Sequence, residues 1–161
     1  MRAHPSLLLL AIGNPDRGDD AIAWEVAAAL EARLPEGAAI ERCRGDLLST
    51  IENWPQYDAM ICIDATAPRG QPGRISRFDL RDGLLPVAFE AVSSHAFGLG
   101  QTLALAQSLD LVPARTIVYA IEGADFATGA PLSDGAVAAI THATEAILAE
   151  AQLLLEGTAH A

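Results

Sequence analysis

Four positions in this chain have residue types and surroundings suited to joint chemistry. Asp19 and Asp20 stand side by side where an apolar run, Leu7 to Ile12, gives way through the polar loop GNPDRGDD to a helical pattern. Asp64 closes a second apolar run, YDAMICID, and His95 follows Ser93 and Ser94 just ahead of another helical stretch. Two carboxylates and an imidazole could hold a divalent metal while leaving positions open for a substrate group or a water. Each residue also has a plainer use. An Asp at a helix start caps it, and an Asp in the first turn meets the positive end of the helix dipole. A His ahead of a helix packs or is solvated. The plainer use is favoured for Asp19, expected here as the helix N-cap; Asp20, Asp64 and His95 together favour ligation.

Such a site exists only if the intervening elements bring these residues to one place. Leu7 to Ile12 reads as a buried strand, broken by Gly13, Pro15 and Gly18. Residues 20–34 read as a helix, with Ile22, Val26 and Leu30 on one face and Pro35 and Gly37 as its stop. Residues 38–43 alternate like a strand, and Asp46 caps a short helix, LLSTIENW, ended by Pro55. The continuously apolar part of residues 57–64 predicts a strand covered on both faces. A Pro- and Gly-rich loop leads to a shorter strand at 74–79, which follows no helix and so is expected antiparallel at an edge. Residues 81–94 read as irregular, 96–109 as a helix, and 115–121 as a strand ending at Glu122. The last helix starts at Ser133, its expected N-cap, with Val137, Ile140, Thr144, Ile147, Ala151 and Leu154 predicted to face inward.

Strands alternating with helices predict one α/β domain over residues 1–161. Its mostly parallel, five-stranded sheet is doubly wound in three layers, with helices on both faces. In such a sheet ligands bind at the carboxyl ends of the strands, where the strand order reverses. The commonest order sets the first strand beside the third, and Asp20 and Asp64 then meet at one crevice.

Composition narrows the function classes. The formal charge is −11, and every basic residue is Arg. An acidic surface repels phosphate backbones, so no nucleic-acid partner is expected. No apolar run approaches the length of a bilayer span, so no membrane partner is expected and the chain reads as cytoplasmic. Cys43 and Cys62 are too few for a disulfide framework and are expected as buried thiols. Asp16 reads as a turn residue, and Glu122 as either a support to the site or a solvated side chain. Ser93 and Ser94 lack a G-x-S-x-G elbow, and the Gly13-Asn14-Pro15 turn matches neither of the Gly-rich phosphate-binding spacings.

Together the segments GNPDRGDDAIAWEVAAAL, CIDAT, SSHAFGL and IEGADFATGAPLS resemble the hydrogenase maturation protease family, in order and over nearly the whole chain. The resemblance implies an endopeptidase that removes the C-terminal extension of the large-subunit precursor of a nickel–iron hydrogenase after nickel insertion. It places the metal contacts on Asp20, Asp64 and His95, with Asp20 and Asp64 as catalytic candidates. Asn14, Asp19 and Ser94 are expected to contact the substrate. Nickel is then supplied by the precursor, although a surrogate divalent metal could take its place, and a monomer suits an enzyme that must embrace a larger partner. Three positions depart from the family pattern: Ala11 and Ala23 stand where Gly is usual, and Gly123 where Pro is usual. One rival is a non-catalytic nickel-sensing scaffold using the same ligands. A second, a peptidyl-tRNA hydrolase-like esterase, needs a His soon after the GNP turn and a basic face, and this chain has neither.

Overall fold

The computed structural model describes residues 6–83 and 98–159. Five strands, β1 (Leu7–Ile12), β2 (Ala38–Cys43), β3 (Ala59–Thr66), β4 (Ile75–Asp79) and β5 (Arg115–Glu122), form one sheet in the order β2-β1-β3-β5-β4. Neighbours run parallel except β4, which lies antiparallel to β5 at the edge. A loop, not a crossover helix, leads from β3 to β4, and a parallel return needs the longer connection. Three α-helices are described: α1 (Ile22–Glu31), α2 (Leu99–Ser108) and α3 (Asp134–Ala159).

The period of two along a strand sorts the core into two faces. Leu7, Leu9, Ala11, Ile61 and Ile63 face one way and pack with α1 and α3. Leu8, Leu10, Ile12, Met60 and Cys62 face the other way, against α2 and a 3-10 segment, Leu48–Gln56. β1 and nearly all of β3 and β5 are buried along their length, as their unbroken apolar runs require. This is the expected doubly wound, three-layer arrangement. Cys43 and Cys62 are buried free thiols.

Some local expectations are corrected. The chain enters α1 through a 3-10 turn, Gly18–Ala21, and the helix stops at Glu31, so the predicted span 20–34 is shortened at both ends. The short helix at 47–54 winds as 3-10 and carries Pro55 inside its last turn; Asp46 still accepts the Ser49 N–H at 3.2 Å. Val137, predicted to face inward, is 53 % exposed. The buried face of α3 is instead led by Ala136, Ala139 and Ala143, in one cluster with Ala23 and Ala27 of α1. Small side chains let the two helices approach, so size rather than hydrophobicity set that face.

Charge pairs tie the outer edge of the sheet to α3. Glu150, buried on α3, accepts the Tyr119 hydroxyl at 2.9 Å and the Arg77 guanidinium. Burial by itself would raise the Glu150 pKa, but Arg77 and Tyr119 outweigh it and hold it below the ordinary glutamate value. Glu150→Ala leaves Arg77 and the Tyr119 hydroxyl without their acceptor and should cost about 2 kcal/mol in urea unfolding. Because the folded-state pKa is depressed, this stabilisation is present above about pH 4.3 and is lost as pH falls through the folded value. The wild-type and variant curves should therefore converge in acid.

Candidate functional site

β1 pairs with both β2 and β3, so the strand order reverses between β1 and β3. The loop leaving β1 doubles back over that point. The Gly13 N–H donates to the Cys43 carbonyl at the end of β2, at 3.0 Å. Gly13 has φ +151°, and a Cβ there would lie 2.0 Å from the Asp20 carbonyl oxygen. A side chain at this position is thus excluded by conformation and space alike. Asn14 shapes the turn, its Oδ1 accepting the Asp16 N–H at 2.9 Å. Its own N–H donates to Asp20 Oδ2 at 2.8 Å, which draws the Asp20 carboxylate back over the end of β1.

Asp64 lies near the end of β3, on the face shared by Met60 and Cys62, and is 3 % exposed; Asp20 is 2 % exposed. Burial and then the nearby charge of Asp20 push the Asp64 pKa well above the ordinary carboxylate range, with only the Ala65 N–H working against them. The structure thus brings Asp20 and Asp64 into one electrostatic neighbourhood, as the topology requires. Among the described residues no Arg forms an ion pair with either acid. Two buried, unneutralised carboxylates suit a divalent cation, whose charge would offset both.

The third expected ligand, His95, and the expected substrate contact Ser94 lie outside the described residues. Among the described residues no three His, Cys, Asp or Glu side chains gather closely enough to hold a metal ion. α2, which follows His95 in the chain, leads into β5 and packs on the face of the sheet that carries Asp64.

Asp19 is neither a helix cap nor a surface contact. It is 0 % exposed, and the 3-10 turn that holds it starts at Arg17 without a side-chain cap. Its Oδ2 accepts the Ala124 N–H at 2.6 Å, the Asp125 N–H at 3.3 Å and the Ser133 hydroxyl at 2.7 Å. Its Oδ1 accepts the Ser133 N–H at 2.7 Å. Burial works to raise the Asp19 pKa, yet these donors together hold it below the usual value. Asn14, expected to touch substrate, uses its side-chain oxygen and its N–H within the loop. Glu122 is buried rather than solvated, and its Oε2 accepts the Arg69 and Gln71 N–H groups at 3.0 and 2.6 Å. Neither carboxylate partnership was signalled locally, since the donors lie more than fifty residues away in the chain. Gly123 has a clear use: a Cβ there would come within 2.8 Å of the Asp19 Cβ, and its N–H donates to the Thr66 carbonyl at 2.8 Å, which Pro could not do.

Asp64 lends itself to a test of this electrostatic picture. Its folded-state pKa is raised, so the native protein holds more protons than the unfolded chain, and stability falls as pH rises from about 3.9 towards that raised value. Asp64→Asn removes the buried titratable group and should raise the thermal midpoint at pH 7 by about 3 °C or more. The gain should vanish near pH 3.5 in calorimetry of the metal-free protein.

A family model described as hydrogenase maturation protease matches residues 44–150, a span that includes Asp64 and His95 but not Asp20. No curated protein matches the chain. Among solved structures, the hydrogenase maturating endopeptidase HybD from E. coli aligns with TM-score 0.76 at 21 % identity, covering 91 % of each chain. An endopeptidase from Escherichia coli solved in solution gives TM-score 0.78 at 23 % identity, over 89 % of this chain and 90 % of that one. The [NiFe] hydrogenase maturation protease HycI from Thermococcus kodakarensis KOD1 gives 0.71 at 21 %, over 94 % of each. These likenesses agree in fold, and the family model covers more than half of the sequence. The chain belongs to the hydrogenase maturation protease family and is a peptidase of that kind.

Proposed function

We propose that this peptidase removes the C-terminal extension of a hydrogenase large-subunit precursor that already carries nickel, and that it recognises the nickel through Asp20, Asp64 and His95. The observation that carries the reading is the pair of buried carboxylates, Asp20 and Asp64, meeting where the strand order reverses. Neither acid is neutralised by an Arg among the described residues, so a cation brought by the partner is the natural complement. The nickel is part of the substrate. It would anchor the precursor and polarise the scissile carbonyl or a water.

The chain's own groups orient and exclude. The Asn14 N–H fixes one oxygen of Asp20, and among the described residues no donor takes the other, which could ligate or accept a proton from the attacking water. The raised pKa of Asp64 suits it to hold a proton until a cation arrives, after which its ionised form becomes the favoured one. Fixing the peptide beside these groups supplies the orientation term that any hydrolysis needs.

Co-expression with the precursor tests the reading directly. Wild-type enzyme should yield a shortened large subunit on a denaturing gel, and precursor made without nickel should remain uncut. Asp20→Asn, Asp64→Asn and His95→Ala should each reduce processing by about a hundredfold or more while far-UV circular dichroism stays native. Normal processing by His95→Ala would remove the imidazole from the ligand set. Equal cutting of nickel-free precursor would remove metal recognition altogether.

A further inference from the structure

We infer that Asp19 is a positioning residue for the Asp20 arm: it locks the main chain carrying Asp20 to the loop after β5 and to the start of α3. The inference rests on the reading of Asp20 as a metal-contacting group. Asp19 itself is fully buried and its carboxylate is taken up by Ala124, Asp125 and Ser133, so it acts through its neighbour.

The lock is built from both chains of contact. The Asp19 N–H donates to the Asp125 carbonyl at 2.8 Å, while its carboxylate accepts the Ala124, Asp125 and Ser133 N–H groups and the Ser133 hydroxyl. On one side, a Cβ at Gly18 would lie 2.2 Å from the same Asp125 carbonyl oxygen. Farther back, the Gly129 N–H donates to the Asp16 carbonyl at 2.8 Å. Segment 16–19 is therefore fastened along its length to residues 123–133, and Asp20 is the next residue in the chain. Beyond the lock, the Asp20 N–H bonds to the Arg17 carbonyl at 3.0 Å, and the Asn14 N–H holds its carboxylate. Slack at Asp19 reaches the Asp20 Cα without passing through any other side chain.

The chemistry of the lock demands a carboxylate. Oδ1 faces an N–H, and Oδ2 faces two N–H groups and a hydroxyl. Asn is nearly isosteric, but either placement of its NH2 group sets N–H against N–H: against Ser133 in one, against Ala124 and Asp125 in the other. Outer-shell groups of this kind set ligand orientation in metal sites.

The test compares the full-length wild type with Asp19→Asn and with Glu150→Gln, a variant remote from the rim that also weakens a buried carboxylate's bonds. Each is titrated with nickel(II) alone, assayed for kcat and KM on the precursor, and followed by amide exchange over residues 13–21. Asp19→Asn should bind nickel(II) about ten- to a hundredfold more weakly. Its kcat should fall by a similar factor, with KM within about threefold of wild type. Exchange over 13–21 should quicken. Glu150→Gln should keep wild-type nickel affinity and kcat. Wild-type affinity and kcat in Asp19→Asn would overturn the inference, as would losses in both variants that merely follow their losses of thermal stability. If the wild type neither binds nickel(II) nor cuts the precursor, the proposed function fails. Exchange over 13–21 then decides the hold on Asp20 alone, unchanged rates overturning it.

Discussion

Four carboxylates, those of Asp19, Asp20, Asp64 and Glu122, are buried near the carboxyl ends of the strands, and the loops there take their shapes from that constraint. A buried charge is costly unless hydrogen bonds or a counter-charge replace its lost water. For Asp19, Asp20 and Glu122 the replacement comes from backbone N–H groups that neither sheet nor helix uses. Loop 123–133 turns its N–H groups onto Asp19, the β3–β4 loop turns those of Arg69 and Gln71 onto Glu122, and the turn after β1 turns that of Asn14 onto Asp20. Irregular backbone at this rim is thus how acids are kept inside the molecule.

The edge of the sheet solves the same problem differently. Asp79 accepts the Arg81 guanidinium at 2.9 Å, and Glu150 accepts Arg77 and Tyr119. Arg81 holds Asp79 below the ordinary carboxylate range, so that acid is ionised and its charge is cancelled on the spot. The donors on Asp19, Asp20 and Glu122 are N–H and O–H dipoles, which stabilise negative charge without cancelling it. Among the described residues Asp19 and Asp20 are in no ion pair with an Arg, whereas Asp79 and Glu150 are. Acids left uncancelled in this way repel phosphate, in keeping with the −11 charge of the chain.

Much of this was legible in the sequence, for physical reasons that differ between residues. The unbroken apolar runs at Leu7–Ile12 and Met60–Ile63 could be read as central strands, because nothing but burial on both faces explains them. Asp20 and Asp64 could be brought together because the topology of doubly wound sheets leaves few strand orders. The roles of Asp19 and Glu122 could not be read, since their partners sit 105 and 53 residues away, and an Asp before a helix looks like a cap whatever it bonds to. Val137 misled for another reason. A helix face packed by alanines is chosen for closeness, and a hydrophobicity pattern gives larger side chains precedence.

Asp64 shows how a buried acid stands out against the fold that carries it. It follows Met60 and Cys62 on one face of β3, a strand buried along nearly its whole length. Placed there, a carboxylate loses its water, meets the charge of Asp20 and, among the described residues, gains the Ala65 N–H in return. Selection for folding alone would remove it, since Asn or an aliphatic residue of similar size would be easier to bury. A burden of this kind on the native state fits the proposed use of its ionised form in contact with something the chain does not itself contain. Asp19, by contrast, has donors on both of its oxygens, three on Oδ2 and one on Oδ1 among the described residues. The two neighbours in the acidic pair thus differ: the Asp19 carboxylate takes four donors and ties the 3-10 turn to loop 123–133, while the Asp20 carboxylate takes one N–H among the described residues.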